Sequence, residues 1–127
     1  MAISNLLRNI IEVGFGVLYA MGAIFNFLYT LRHGDEFYGS FADKALLVLS
    51  SQLIREVILP HARLFTILFI VFQLVVALCI LSRGTFVRPG LIAGATFSLG
   101  VVFVSNTSGA IANLIMFVVQ IYLALIR

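Results

Sequence analysis

The stretch Arg32–Arg63, RHGDEFYGSFADKALLVLSSQLIREVILPHAR, carries eight of the chain's thirteen charged residues. They are Arg32, Asp35, Glu36, Asp43, Lys44, Arg55, Glu56 and Arg63, four basic against four acidic. The other five, Arg8, Glu12, Arg83, Arg88 and Arg127, supply the whole formal net charge of +3. Elsewhere the chain is close to pure hydrocarbon, with 62% of its 127 residues hydrophobic and 10% charged. A water-soluble domain of that composition has too few polar groups to cover its surface. The solvent is therefore a bilayer, and the island is where the chain meets water.

The runs on either side of the island are long enough to cross a membrane. About 20 helical residues span the roughly 30 Å of a hydrocarbon core. Residues 10–31 and 64–82 give two such spans. The stretch from Pro89 to Ile126 is too long for one helix and breaks at Ser105-Asn106-Thr107-Ser108-Gly109, a cluster of turn formers. Spans three and four are then 86–104 and 110–126, with Pro89 in a first turn and Ser108 as the expected N-cap. Backbone groups cannot stay unpaired in lipid, and the alternation of a barrel strand is absent, so the spans are helices. The expected architecture is all-α: a single integral membrane domain, a bundle of four transmembrane helices. The first span reads as an anchor, since it lacks the small-residue pattern of a cleaved signal. Asn106-Thr107-Ser108 matches a glycosylation sequon but reads as a turn.

Four spans place both termini and the short basic turn of Arg83 and Arg88 on one side. The positive-inside rule makes that side cytoplasmic and the protein a multi-pass component of the cell membrane. Within the island, residues 36–60 form an expected extracytoplasmic interfacial segment. On a helical wheel Ala42, Ala45, Leu46, Leu49, Leu53 and Val57 share one side, with Asp43, Lys44, Ser50, Ser51 and Arg55 mostly opposite. Ser50-Ser51 divides this segment into two short helices, and Pro60 ends it.

Polar and small residues inside the spans set the candidate contacts. Gly90, Gly94 and Ser98 recur every four residues, a stripe that lets another helix approach closely. Asn26, Gln73, Asn113 and Gln120 are amides at depth, and each needs a partner or a ligand-facing cavity. Glu12 lies near the cytoplasmic boundary, where Arg8 four residues earlier offers a solvated ion pair. At the outer boundary Arg32, His33, Asp35, Glu36, His61 and Arg63 gather at the mouths of spans one and two. They read as interface anchors, with a bound ligand as the alternative; their spacing matches no metal motif. Cys79 stands alone, which excludes an intrachain disulfide and paired-cysteine redox chemistry.

The order of these features resembles the DoxX-like family of small four-helix membrane proteins. The resemblance rests on Gly14-Phe-Gly16 through Gly22-Ala-Ile-Phe-Asn26-Phe in span one and the amphipathic external segment. It continues with Phe72-Gln73 through Leu81-Ser-Arg83 in span two and with Arg88-Pro-Gly90-Leu-Ile-Ala-Gly94-Ala in span three. That family includes the small subunit of a thiosulfate:quinone oxidoreductase, so the resemblance implies a membrane complex and a quinone-linked setting. Gln73 stands where many relatives carry an acid, which speaks against a proton-linked role.

No catalytic constellation is present, and no cofactor or metal is expected from the residues. The leading expectation is a non-catalytic subunit or accessory component, binding other membrane subunits or itself through the island and the small-residue stripe. The alternative is a binding protein for quinone, lipid or sterol in a cavity near Asn26, Gln73 and Asn113. Nucleic acid is excluded because the excess bases flank membrane spans. Transport ranks last because no buried acid–base pair is evident.

Overall fold

The computed structural model describes residues 3–127, and among them every regular element is helical. Helix α1 (Asn5–Phe25) widens into a π turn at Asn26–Thr30. After it come α2 (Gly34–Lys44), α3 (Val48–Leu53), α4 (Ala62–Leu81), α5 (Val87–Val104) and α6 (Thr107–Ile126). Four helical runs are long and apolar enough to cross a membrane: Asn5–Thr30, Val48–Leu81, Val87–Val104 and Thr107–Ile126. The protein is a multi-pass membrane protein built as a four-helix bundle. Helix α1 packs on α4, α4 on α5, and α5 on α6.

The bundle hides its small and polar side chains and shows its large apolar ones. Leu6, Ile10, Met21, Phe27, Leu28, Leu78 and Leu125 are among the exposed residues, while Ala23, Ala77, Ala95, Ala124, Ser98 and Gln120 are buried. Lipid tails accept apolar side chains as readily as a protein core does, so burial here selects for close packing and hydrogen bonding. The main apolar cluster joins Tyr19, Val76, Ala77, Ile80, Val87, Leu91 and Leu123. A smaller one, Tyr38, Ala42 and Ile54, lies beneath the short helices α2 and α3.

Those short helices form a cap over one end of the bundle, and two expectations about them change. The chain breaks at residues 45–47, not at Ser50-Ser51, and the first short helix begins at Gly34. Ser50 and Ser51 instead act as ties. The Ser50 hydroxyl donates to the Phe103 carbonyl and the Ser51 hydroxyl to the Ala42 carbonyl at 2.8 Å. The buried side is Ala42, Ser50 and Ile54, whereas Leu46, Leu49, Leu53 and Val57 face outward. The amphipathic pattern is real, and most of its apolar side is turned outward from the bundle.

Pro60 lies at the junction with α4, since the next residue, His61, leaves the helical conformation and α4 begins at Ala62. The helix widens to π over Ile54–Ile58, with the Leu59 amide reaching the Ile54 carbonyl, and tightens to a 3-10 turn at Leu59–His61. Pro60, which has no amide proton to lose, sits where one helix type gives way to the other. At the α5–α6 turn the N-cap is Asn106, not Ser108: its side-chain oxygen accepts from the Gly109 amide at 2.9 Å. Gly109 is required there, since a Cβ would lie 2.9 Å from the Ser105 Cβ. The Asn106 cap predicts that Asn106→Ala destabilises the protein by about 1 kcal/mol in detergent unfolding, whereas Ser108→Ala leaves it within about 0.5 kcal/mol.

Candidate functional site

The sequence candidates fall into three separate places. Asn26 and Gln73 meet across α1 and α4, the Asn26 amide donating to the Gln73 carbonyl oxygen at 2.8 Å. Gly22 makes room for this pair, because a Cβ there would lie 2.8 Å from the Gln73 nitrogen. Asn113 is elsewhere: it donates to the Gly109 carbonyl at 2.8 Å and lines an open cleft of about 280 Å³ with Lys44, Ser105 and Asn106. Arg32, His33, His61 and Arg63 are all exposed at the cap, with His33 resting against the Tyr29 ring. Asp35 and Glu36 are exposed there too, and no group of residues able to hold a metal ion occurs among the described residues.

The small-residue stripe points inward. Gly90 faces Cys79 and Ile80 of α4, while Gly94 faces Tyr19 and Gln120. Tyr19 is the residue the sequence reading passed over. Its hydroxyl lies 2.8 Å from both the Gly94 carbonyl and the Gln120 side-chain oxygen, so one proton serves two acceptors. The Gln120 amide in turn donates to the Ser98 hydroxyl and the Met116 carbonyl, each at 3.1 Å. One phenol thus joins α1, α5 and α6. A Cβ at residue 94 would lie 2.6 Å from that hydroxyl, which explains the glycine.

The cap is tied down by a third polar pair. Thr66 donates to the Ala62 carbonyl at 2.7 Å, leaving its oxygen to accept from the Tyr38 hydroxyl at 2.8 Å. Burial pushes the Tyr38 hydroxyl above its ordinary pKa, and the Thr66 bond offsets part of that rise. Tyr38 therefore stays protonated and donating across the neutral range.

At the opposite end all five charges outside the island come together. Glu12 is fully buried, and its partners are Arg83 at 2.7 Å and Arg127 at 3.5 Å. This replaces the expected solvated pair with Arg8. The physical reason is topology: the turn after α4 and the last residues of α6 return to the start of α1 and cover the carboxylate. Arg83 also donates to Asn9 at 2.7 Å and to the Ile80 carbonyl at 3.1 Å. It does so from a left-handed backbone, φ 60°, which costs a non-glycine residue about 1 kcal/mol or more. The site accepts that strain in order to hold a guanidinium over Glu12.

Around this pair lies an open cleft of about 500 Å³ lined by Arg8, Arg83, Gly84, Thr85, Arg88 and Arg127. Four guanidiniums against one carboxylate leave three positive charges, equal to the formal net charge of the entire chain. The expectation that no buried acid–base pair exists is thereby corrected. The signal was available, because four spans bring residues 8, 83, 88 and 127 to one side.

No protein-family model matches the chain, and no match to it is found among curated proteins or among solved structures. The resemblance to DoxX-like proteins therefore stands on the sequence pattern alone.

Removing the buried charge tests the Arg83–Glu12 pair. Glu12→Gln leaves two guanidiniums without a counter-charge and is expected to cost about 2–3 kcal/mol, reduced from a fully buried pair because Arg83 is partly solvated. Arg88→Gln, whose side chain is exposed, should change thermal stability in detergent by less than about 0.5 kcal/mol.

Proposed function

We propose that the protein is a non-catalytic accessory component of a membrane assembly, with both termini on the cytoplasmic side. The observation that carries this reading is the state of the cap. Its charges Arg32, Asp35, Glu36, Lys44, Glu56 and Arg63 are exposed, three of each sign. Asp43 and Arg55 form the one ion pair within the cap among the described residues. The helices beneath these charges are fixed by Ser50, Ser51 and Tyr38. A rigid surface of balanced charges suits paired contacts with another protein, since opposed charges set register and exclude wrong partners. The partner is another membrane subunit or a second copy of this chain.

The small-residue stripe does not serve that contact, because Gly94 and Ser98 are spent on Tyr19 and Gln120. Quinone, lipid or sterol held near Asn26, Gln73 and Asn113 has less support. Asn26 and Gln73 satisfy each other, and neither lines the Asn113 cleft or the arginine cleft. A DoxX-like, quinone-linked setting remains compatible with an accessory role in which the redox centre belongs to a partner. Cytoplasmic termini are supported by the unmatched bases of the Arg83–Arg88 turn, against bases matched by acids in the cap.

Native extraction followed by mass measurement tests the assembly. The expected particle is heavier than one chain with its lipid or detergent, and Arg32→Glu/Arg63→Glu should reduce it to the monomer without lowering thermal stability. A monomer from the unaltered membrane contradicts the reading. For orientation, Gly84→Cys in a Cys79→Ala background is expected to react with an impermeant maleimide only after the membrane is opened from the cytoplasmic side. Labelling in intact cells would reverse the assignment.

A further inference from the structure

We propose that the cleft bounded by Arg8, Arg83, Arg88 and Arg127 is a binding site for a phosphate-bearing anion presented at the membrane surface. The site is built from three different parts of the chain, the start of α1, the turn between α4 and α5, and the last residues of α6. Convergence of four guanidiniums from such distant positions is unfavourable unless a counter-charge is gained. Glu12 supplies one and stops there. It engages Arg83 and Arg127 through a single oxygen, Oε1.

Arg8 and Arg88 form no ion pair among the described residues. Arg88 is exposed on the rim and has no carboxylate partner among the described residues. The Nε of Arg8 is buried without an acceptor, and the second oxygen of Glu12, Oε2, is buried without a donor. Arg8 and Arg88 both line the open cleft, and an anion there would meet guanidiniums that Glu12 does not engage.

The class of anion follows from charge and shape. A carboxylate is already present in Glu12, and the cleft still carries three positive charges. Phosphate offers several oxygens to planar guanidinium forks and more than one negative charge as a monoester. A cation is excluded by the sign of the site. The cleft is open and lies at one end of four helices long and apolar enough to cross a membrane, the end of a span being where lipid headgroups are met. Exposed Leu7, Phe86 and Leu125, each within two residues of a cleft arginine, provide apolar surface for acyl chains. Both a phospholipid headgroup and a free phosphate compound have the required chemistry.

The test uses the full chain purified in a neutral detergent. Its thermal midpoint is followed against short-chain phosphatidic acid, inorganic phosphate and short-chain phosphatidylcholine, with ionic strength held constant by chloride. The expected result is saturable stabilisation by phosphatidic acid and no comparable effect of phosphatidylcholine. Arg8→Gln/Arg88→Gln, which leaves the Glu12 pair intact, should raise the half-saturating concentration about tenfold or more, as loss of charge-assisted bonds requires. The single variant Arg88→Gln serves if the double variant fails to fold, and Arg55→Gln at the cap, paired with the exposed Asp43, should respond like the parent. Stabilisation by phosphatidic acid alone identifies a lipid, and stabilisation by inorganic phosphate as well identifies a site open to soluble phosphates. Stabilisation by neither, or an unchanged response in the Arg88 variants, overturns the proposal.

Discussion

A hydroxyl or amide in hydrocarbon has no water to turn to, so its partner must be another part of the protein. Tyr19 meets that constraint by placing one hydroxyl against the Gly94 carbonyl and the Gln120 side chain at once. The rest of the bundle follows from this contact. Gly94 must lack a side chain to admit the phenol, and Ser98 must be small and polar to receive the Gln120 amide. Helices α5 and α6 share this contact with α1, which packs on α4 and reaches both through one side chain. Hydrogen bonds of this kind contribute only about 1 kcal/mol each in a membrane, but they choose which faces meet. Apolar surface cannot make that choice, because it is as comfortable in lipid as in a core.

The same logic separates the charges. In the cap they are balanced and solvated, and the exposed Asp43–Arg55 pair adds little stability. At the other end they are unbalanced, and only Glu12 is carried inside. A buried carboxylate is tolerable where guanidiniums cover it, and Arg83 does so from a backbone conformation that arginine rarely adopts. The two ends of the bundle are therefore different kinds of surface. One is suited to matched protein contacts, and the other holds the whole net charge of the chain around a cleft.

How much of this was legible depends on what each residue reports. The four spans were readable because charge is excluded from lipid over about 20 residues, and α5 begins one residue from its expected start. In the cap a helical wheel separates two sides without saying which one meets the protein. Leu46 and Leu49 mark an apolar face, but in a bilayer that face belongs to lipid, and Ser50 marks the side that meets the protein. The stripe of Gly90, Gly94 and Ser98 announced a close approach without naming Tyr19, since aromatic residues in apolar runs look alike until one hydroxyl finds a partner. Glu12 was paired with Arg8 because local spacing is visible in sequence. Its actual partners are more than 70 residues away, brought near only by the fold.

The central claim, that a polar contact through Tyr19 sets the arrangement of α1, α5 and α6, is open to a double-mutant cycle. Tyr19→Phe, Gln120→Met and the pair together would be compared by reversible unfolding in mixed micelles. A coupling energy of about 0.5–2 kcal/mol is expected, the range for residues sharing one hydrogen-bond network. Additive effects, with no coupling between the two positions, would contradict the account.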